Sequence, residues 1–473
     1  MEHNQLNNNK PYDVCIVGAG VAGATMAAYL GKHGKRVAIV ERNLKERDVI
    51  IGELLQPGGV QYLQKMGLKF FLDDIDAQPV TGYDIILDGK DFVIPYPHQN
   101  GEPTGYGFRN GKFVRNMRKY ILSLSNVTVI EGRVTELPEK NDDIQGVRFL
   151  AKGAEKEETI HAPLTIVSDG ALSKFRDKLS KPDNKVTGFF LGILLKDCIL
   201  PYPGHGHLVM GNHSPFVLYP VTSDFTRVLI DFPGEKPPKL DTGLKKYLTE
   251  TFLPPMPQQV KPAFLNAVEE GNFKMFPNHR LPASPVLKMG AVLLGDSLNM
   301  RHPLTGGGMT AAFADVKNLG DNLLAIKDFQ NRKQINTAVK KFYDTRHLGN
   351  QTINILADGL YGVVNNPGLQ VAFFEYVNRG GKYADEPIAI LAGINKDKKL
   401  LKKHFIGLAS YGTKNKLKSA GIKEIGDTYG MVKAAVRIIT PLLLSEKPDL
   451  ATRVMLKTLI KGDTVISDIN LRI

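Results

Sequence analysis

Tyr12-Asp-Val-Cys-Ile-Val-Gly18-Ala-Gly20-Val-Ala-Gly23, continuing ATMAAYLGKHGKRVAIVE to Glu41, is the stretch from which the rest of this chain can be read. Tyr12 to Val17 has the length and apolar character of a strand. The turn GAGVAG places glycine at positions 18, 20 and 23. A helix is expected from Ala22 to His33, closed by Gly34, and Arg36 to Val40 reads as the next strand. That strand finishes at Glu41, 21 residues after Gly20. Strand, glycine turn, helix, strand and terminal acid together form a dinucleotide fingerprint in its proper setting. The Gly18–Gly23 backbone, with Ala19, Val21 and Ala22 between the glycines, would let a pyrophosphate approach a helix N-terminus. Glu41 would bind a ribose hydroxyl, which favours FAD or NAD over a 2′-phosphate.

A second decisive stretch is AVLLGDSLNMRHPLTGGGMTAAFADVKNL, Ala291 to Leu319. Ala291 to Leu294 looks like a buried strand, closed by Gly295 and Asp296. Asn299 to Thr305 is expected as a loop, since the residue before Pro303 is biased away from helix. Gly306, Gly307 and Gly308 then precede a helical pattern from Met309. Glycines at a helix N-terminus leave N–H groups bare and favour negative charge. Such a site suits a flavin. Asp296 would hold the ribityl chain, and the helix end would face the ring edge that turns anionic on reduction. A third edge of this kind is Leu164 to Val167 followed by Asp169-Gly170, with a helix expected from Ser173 to Leu179.

The chain has 473 residues, room for two or three domains. Its hydrophobic share of 42% suits a soluble or peripheral protein. Cys15 and Cys198 lie in apolar runs, as buried thiols of a reducing compartment do. No stretch reaches the ~18 apolar residues of a spanning helix. Residues 1–11 are polar and expected to be disordered. The net charge is +13, and residues 395–473 hold 16 Lys/Arg against 7 Asp/Glu. A basic tail with an apolar stripe at Met431–Leu444, edged by Lys433 and Arg437, points to an anionic membrane surface rather than to nucleic acid.

Between these landmarks, Ile51 to Leu68 contains GELLQPGG, a loop bending into a helix near Val60. It reads equally as a loop running beside a ring system, with Leu54 and Gln56, or as a plain connector. Val80 to Pro95 alternates around a hairpin turn at Leu87–Lys90, in a sheet separate from the nucleotide unit. Lys112 to Ser123 is a helix carrying Arg115 and Arg118, and Val127 to Glu131 is a strand. Residues 186–228 are β-rich. His205, His207 and His213 have no acid or cysteine partner nearby in sequence and are expected as loop histidines, not a metal site. A helix is expected at Leu244–Phe252. Beyond Leu319 the chain reads as helical, with stripes at Ile335–Leu356 and Pro367–Val377 and an apolar patch at Pro387–Ile394.

Taken in order, GAGVAG, Val40-Glu-Arg42, GELLQPGG, APLTIVSDG with the following SKFR, and GDSLNMRHPLTGGGMT resemble the FAD-dependent aromatic-hydroxylase superfamily, and within it the squalene monooxygenase (squalene epoxidase) family. The resemblance implies an α/β fold: a Rossmann-type FAD-binding domain, an inserted mixed β-sheet substrate domain and a C-terminal helical membrane-associated region. The expected boundaries are 12–79, 112–185 and 286–345 for the first, 80–111 and 186–285 for the second, and 346–473 for the third. It also implies that Glu41, Arg42, Leu54, Arg118, Val134, Asp169, Gly170, Gly295, Asp296, Pro303, Met309 and the glycines contact FAD. Tyr83, hydrogen-bonded to Gln56, would be the active-site tyrosine, with Tyr219, Phe374 and Pro387 on the pocket wall. Val49 stands where many animal members carry an arginine. The implied reaction is epoxidation of squalene with O2. Electrons would come from NADPH through a separate NADPH–cytochrome P450 reductase, at the cytosolic face of the endoplasmic reticulum membrane, with lipid as a further partner. The alternatives are another flavin hydroxylase, an isoprenoid reductase, or a non-catalytic protein on the same fold.

Overall fold

The computed structural model describes residues 11–98, 104–234, 236–237, 239 and 242–419. Five strands form a parallel core in the order Val127–Glu136, Val37–Glu41, Val14–Val17, Leu164–Val167 and Ala291–Leu293. Gly146–Ala151 and Glu157–His161 extend the first of these as antiparallel neighbours. The inner strands VCIV, VAIVE and LTIV are buried at every position. Parallel strands covered by helices on both faces need such unbroken apolar runs. Helices Val21–Lys32, Asn110–Ser123 and Gly308–Leu324 pack together over this sheet.

A second seven-stranded sheet runs Lys274–Arg280, Lys185–Lys196, Phe225–Pro233, His213–Pro220, His205–Gly211, Gly82–Leu87 and Lys90–Pro95. It is mixed: Gly82–Leu87 and His205–Gly211 pair in parallel, and the other neighbours are antiparallel. The expected hairpin turn is present, with Asp88 and Gly89 at φ 48° and 78°. Two successive positive φ values match the twist of the flanking strands. Alternation divides the faces. Tyr83, Ile85, Leu208 and Tyr219 join one apolar cluster with the C-terminal helices. Ile86, Val209 and Leu218 join another with Thr242–Phe252 and Lys261–Glu270.

Some local expectations change. His205 and His207 lie on a strand and His213 begins the next, so they are not loop residues. Strand register also places Asp84 beside His207, an acid that sequence distance concealed. Among the described residues no group of metal-ligating side chains forms. The helix expected from Ser173 is a single turn, Arg176–Leu179, because Arg176 turns inward. The stripe Ile335–Leu356 divides into Arg332–Thr345 and His347–Val364. At the break, Arg346 reaches inward to Asp315 at 2.8 Å.

The remaining helices are Pro367–Val377, Lys382–Leu391 and Lys398–Ser419. In the last, Leu401 and Leu408 are buried. His404 bridges Glu386 at 2.7 Å and the Tyr376 hydroxyl at 3.0 Å. The basic region therefore begins as a helix packed on its neighbours. Residues 1–10 and the Met431–Leu444 stripe with Lys433 and Arg437 lie outside the described residues. Among the described residues no helix is long and apolar enough to cross a membrane.

Candidate active site

The parallel register lines up the C-terminal ends of four strands. Glu41, Gly18, Asp169 and Gly295-Asp296 thus follow one another along a single sheet edge, at the point where the strand order reverses. Open α/β sheets bind ligands at this position. A cavity of about 470 Å³ lies over it, bounded on the far side by the mixed sheet.

The three fingerprint glycines have three different reasons to be glycine. At Gly18, φ is +91° and a Cβ would approach the Ser168 carbonyl to 2.7 Å. At Gly23, a Cβ would collide with the Gly18 carbonyl oxygen, so helix and strand touch through bare backbone. At Gly20, a Cβ would meet no protein atom within 4 Å. That glycine faces the cavity, and only a ligand could require its side chain to be absent. Gly308 at the other helix N-terminus is equally open. These cradles fit a dinucleotide diphosphate at the first helix and an anionic ring edge at the second.

Glu41 is buried at the end of its strand. Its carboxylate accepts from the Ala19 amide at 2.8 Å and the Asn43 amide at 3.1 Å. Arg118 lies 3.6 Å away and donates to the carbonyls of Ala19 at 2.9 Å and Asn43 at 3.1 Å. Burial lowers the Arg118 pKa, and Glu41 opposes that shift. The pair staples the glycine turn to the loop after the second strand.

At the other two edges, Gly170 takes φ +85° and the Asp169 carboxylate accepts from the Lys174 amide at 3.1 Å. Asp296 faces the cavity and is reached from it. Burial raises its pKa, against the pull of Arg301, Arg176 and His279. Arg176, the arginine of SKFR, donates to the carbonyls of Ser297 at 2.9 Å, Ala171 at 2.7 Å, and Gly170 and Asp296 at 3.1 Å each. One buried guanidinium thus joins two strand edges. Ser168 adds hydrogen bonds to the carbonyls of Val17 and Gly18 at 2.9 and 3.1 Å.

Opposite the glycine loop, three side chains form a closed set. The Gln56 amide donates to the Tyr83 hydroxyl at 2.7 Å and to the Thr305 carbonyl at 2.8 Å. The Tyr96 hydroxyl donates to Gln56 Oε1 at 2.7 Å. Only this amide orientation satisfies the Thr305 carbonyl, so the nitrogen faces Tyr83. Burial pushes the Tyr83 pKa up to about 12 and raises the Tyr96 pKa well above its ordinary value. Both phenols are neutral at physiological pH. Ahead of Gln56, the fully buried Glu53 accepts from Arg227 at 2.7 Å and lies 3.2 Å from Arg109. Burial raises its pKa, and Arg227 and Arg109 oppose the shift.

The cavity gathers most of the residues singled out from sequence. Gly20, Val21, Ala22, Arg42, Leu54 and Arg118 line it on one side. Asp169, Gly170, Gly295, Asp296, Pro303 and Met309 line another, with Gly306 and Gly308. Tyr83 and Tyr219 complete the wall. Gly18, Ala19, Gly23, Glu41 and Gln56 stand immediately behind it. Gly307 packs on Ile353. Val134 is buried opposite Phe149 on the antiparallel extension and does not line the cavity. Phe374 and Pro387 belong to the helices beside the cavity and do not line it, whereas Val49 does. Tyr96, Arg176, Ser168 and Arg301 had no role assigned from sequence. Tyr96 directly follows the strand Lys90–Pro95, two residues beyond Ile94, whose pairing with Tyr83 puts both tyrosines on one face.

Comparison with known proteins agrees with this geometry. A family model described as squalene epoxidase matches residues 161–427, and one described as an NAD(P)-binding Rossmann-like domain matches residues 16–45. The chain is 41% identical over 444 residues to squalene epoxidase 2, mitochondrial, of Arabidopsis thaliana, covering 92% of this chain and 76% of that protein. It is 36% identical over 449 residues to the squalene monooxygenase of Mus musculus, covering 92% and 78%. Among solved structures, the flavin-dependent brominase Bmp2 matches with a TM-score of 0.66 at 17% identity, over 86% of this chain and all of that one. That likeness concerns the fold.

Proposed function

The chain belongs to the squalene epoxidase family, and from that premise we propose that it is an FAD-dependent monooxygenase converting squalene to (S)-2,3-epoxysqualene in sterol biosynthesis. One oxygen atom of O2 enters the alkene and the other leaves as water. The observation that carries this reading is that one cavity joins a floor of open glycine backbone to an opposite wall that is apolar and aromatic.

Reduced FAD supplies an electrophilic oxygen from O2, chemistry that a protein side chain does not provide. The chain's own residues bind, orient and exclude water. The Gly18–Gly23 backbone takes the diphosphate, Glu41 a ribose hydroxyl and Asp296 the ribityl chain. Gly306, Gly307 and Gly308 present N–H groups to the ring, where fixed dipoles stabilise developing negative charge. Tyr83, oriented by Gln56, holds its hydroxyl at the ring-side wall. Squalene has no acidic proton, so no general base is assigned.

Electrons would arrive from NADPH through a separate reductase of the NADPH–cytochrome P450 reductase type, since the fingerprint at Gly18–Gly23 is assigned to FAD. The substrate is a hydrocarbon, and each buried CH₂ is worth about 0.8 kcal/mol. It therefore resides in lipid. A peripheral position at the endoplasmic reticulum membrane suits that substrate and the excess of 16 Lys/Arg over 7 Asp/Glu in residues 395–473. The purified protein, given FAD, O2, a reductase with NADPH, and squalene in vesicles, should yield the epoxide. Flavin turnover without epoxide would remove the substrate assignment. Asp296→Ala should purify with most of its flavin lost, and full retention would remove the ribityl assignment.

A further inference from the structure

His302 is a buried imidazole to which the assignments above give no role. It precedes the single turn Pro303–Thr305. Pro303 and Leu304 line the cavity, and His302 does not. Its Nδ1 accepts from the Leu304 amide at 3.3 Å and so caps that turn. An imidazole carries at least one proton, and the bond made by one nitrogen decides where it sits. With Nδ1 accepting, the proton is on Nε2, which lies 3.4 Å from Asp231 Oδ1. Asn278 Nδ2, 3.1 Å from Nε2, donates to the same carboxylate oxygen at 3.2 Å.

Asp231 and Asn278 are fully buried, on strands Phe225–Pro233 and Lys274–Arg280 of the mixed sheet. Tyr361, from helix His347–Val364, stacks on the imidazole with ring centroids 3.7 Å apart. Phe190 meets its edge at 5.4 Å. A buried charged set of this kind often stabilises a fold less than well-packed apolar side chains of the same volume. Packing alone therefore gives no reason for it. What the set holds is the turn. The Gly306 amide closes the turn on the Pro303 carbonyl at 2.9 Å. The Thr305 carbonyl accepts from the Gln56 amide at 2.8 Å, and the same amide nitrogen donates to the Tyr83 hydroxyl at 2.7 Å. From Asp231 to Tyr83, a continuous run of polar contacts starts on the mixed sheet, passes through the turn and returns to that sheet.

We propose that His302, oriented by Asp231, is a positioning residue for epoxidation: it fixes the Pro303–Thr305 turn so that the Thr305 carbonyl holds the Gln56 amide against Tyr83. This rests on the assignment of Tyr83 and Gln56 to the ring-side wall. His302 touches neither cofactor nor substrate. Its part is to keep one carbonyl in place, and small displacements of positioning groups are costly in rate. The side chain needs an acceptor for the Leu304 amide, and Asp231 keeps the acceptor nitrogen turned that way.

The test compares the holoenzyme as wild type, His302→Phe, His302→Asn and Asp231→Asn, by squalene turnover and by hydrogen exchange of the peptide covering residues 301–309. His302→Phe keeps a flat ring against Tyr361 and loses both nitrogens. It should retain FAD, lower kcat about tenfold with KM within about threefold, and speed exchange of the turn amides. His302→Asn restores a side-chain acceptor at the cap and should return exchange and kcat to within about threefold of wild type. His302→Phe combined with Tyr83→Phe should be no slower than Tyr83→Phe alone. The proposal is overturned if His302→Phe matches wild type in kcat or in exchange, if Asn falls as far as Phe, if the loss lies in KM alone, or if the losses with Tyr83→Phe are additive. Should His302→Phe not fold, Asp231→Asn decides. It offers one acceptor oxygen in place of two, and should lower kcat about threefold and speed exchange of the turn; wild-type behaviour in it overturns the proposal. A wild-type holoenzyme that makes no epoxide removes the proposal together with the reading beneath it. An active wild type whose rate ignores His302 removes the proposal alone.

Discussion

The two walls of the cavity are built by different means. On the parallel-sheet side, much of the surface is backbone: the glycine turn, the Asp169-Gly170 edge and the Gly306–Gly308 loop, held in place by Glu41, Arg118 and Arg176. On the mixed-sheet side, the surface is side chain: Tyr83, Val217, Tyr219, Leu229 and Phe276. A backbone wall offers no side chain to exchange, while a side-chain wall can be changed atom by atom. The first wall suits a cofactor of fixed shape, and the second a long hydrocarbon with no hydrogen-bonding groups.

The sharpest way to break this contrast lies within the glycine turn. Gly23→Ala would force a methyl group into the Gly18 carbonyl oxygen and should destabilise the domain by about 3 kcal/mol or more, to the point of insolubility. Gly20→Ala adds the same methyl group to open space. It should leave the unfolding free energy of the apoprotein within about 1 kcal/mol of wild type while lowering FAD affinity at least about tenfold, or 1.4 kcal/mol. Apoprotein melting and flavin titration separate the two. Equal flavin affinity in Gly20→Ala would mean that the backbone there is not a ligand cradle.

The side-chain wall should respond more gently. Tyr96→Phe leaves Gln56 Oε1 without its donor. A buried acceptor left unpaired costs about 1–3 kcal/mol, enough to let the amide reorient away from Tyr83. FAD content should be unchanged, and epoxide formation should fall about tenfold, or 1.4 kcal/mol in the barrier. Because Tyr96 would act through Gln56 on Tyr83, Tyr83→Phe combined with Tyr96→Phe should be no slower than Tyr83→Phe alone. Fully additive losses would separate Tyr96 from the set.

The same contrast explains what could be read in advance. The backbone wall was legible because glycines, strand-ending acids and helix starts act within a few residues of one another. Glu41 and Asp296 lie along one sheet edge as their strand contexts imply. The side-chain wall depends on register across distant strands. Tyr83 and Gln56 came from the resemblance, and Tyr96 could be placed only once Gly82–Leu87 and Lys90–Pro95 were paired. Arg176 and Arg301 escaped notice for a related reason: an arginine in sequence reads as solvated, and burial emerges only from the fold. The split at Arg346 has the same origin, since its inward turn depends on Asp315, 31 residues away.

The smallest expected effect lies on the other face of the mixed sheet, away from the cavity, where Asp84 and His207 are buried side by side. Asp84 is fully buried, no side chain hydrogen-bonds to its carboxyl oxygens, and only the Phe92 amide favours the charged form. Burial, with Asp91 adding to it, pushes its pKa up from 3.8 to about 7. His207 lies 3.8 Å away, its pKa lowered by burial to about 4. Between pH 4 and 7 the folded chain therefore holds a proton on Asp84 that the unfolded chain releases. That contribution to stability is fully present below the unfolded value and is lost as pH rises through 7. Asp84→Asn keeps the shape and cannot ionise. It should match wild type near pH 4 and exceed it by about 1–3 kcal/mol at pH 8, where wild type must bury a carboxylate. His207 titrates in both chains and drops out of the difference unless it couples to Asp84. Melting both proteins across this range gives the answer. A gap that stays constant with pH, or a variant less stable than wild type at pH 8, would mean that Asp84 is ionised and paired in the native protein.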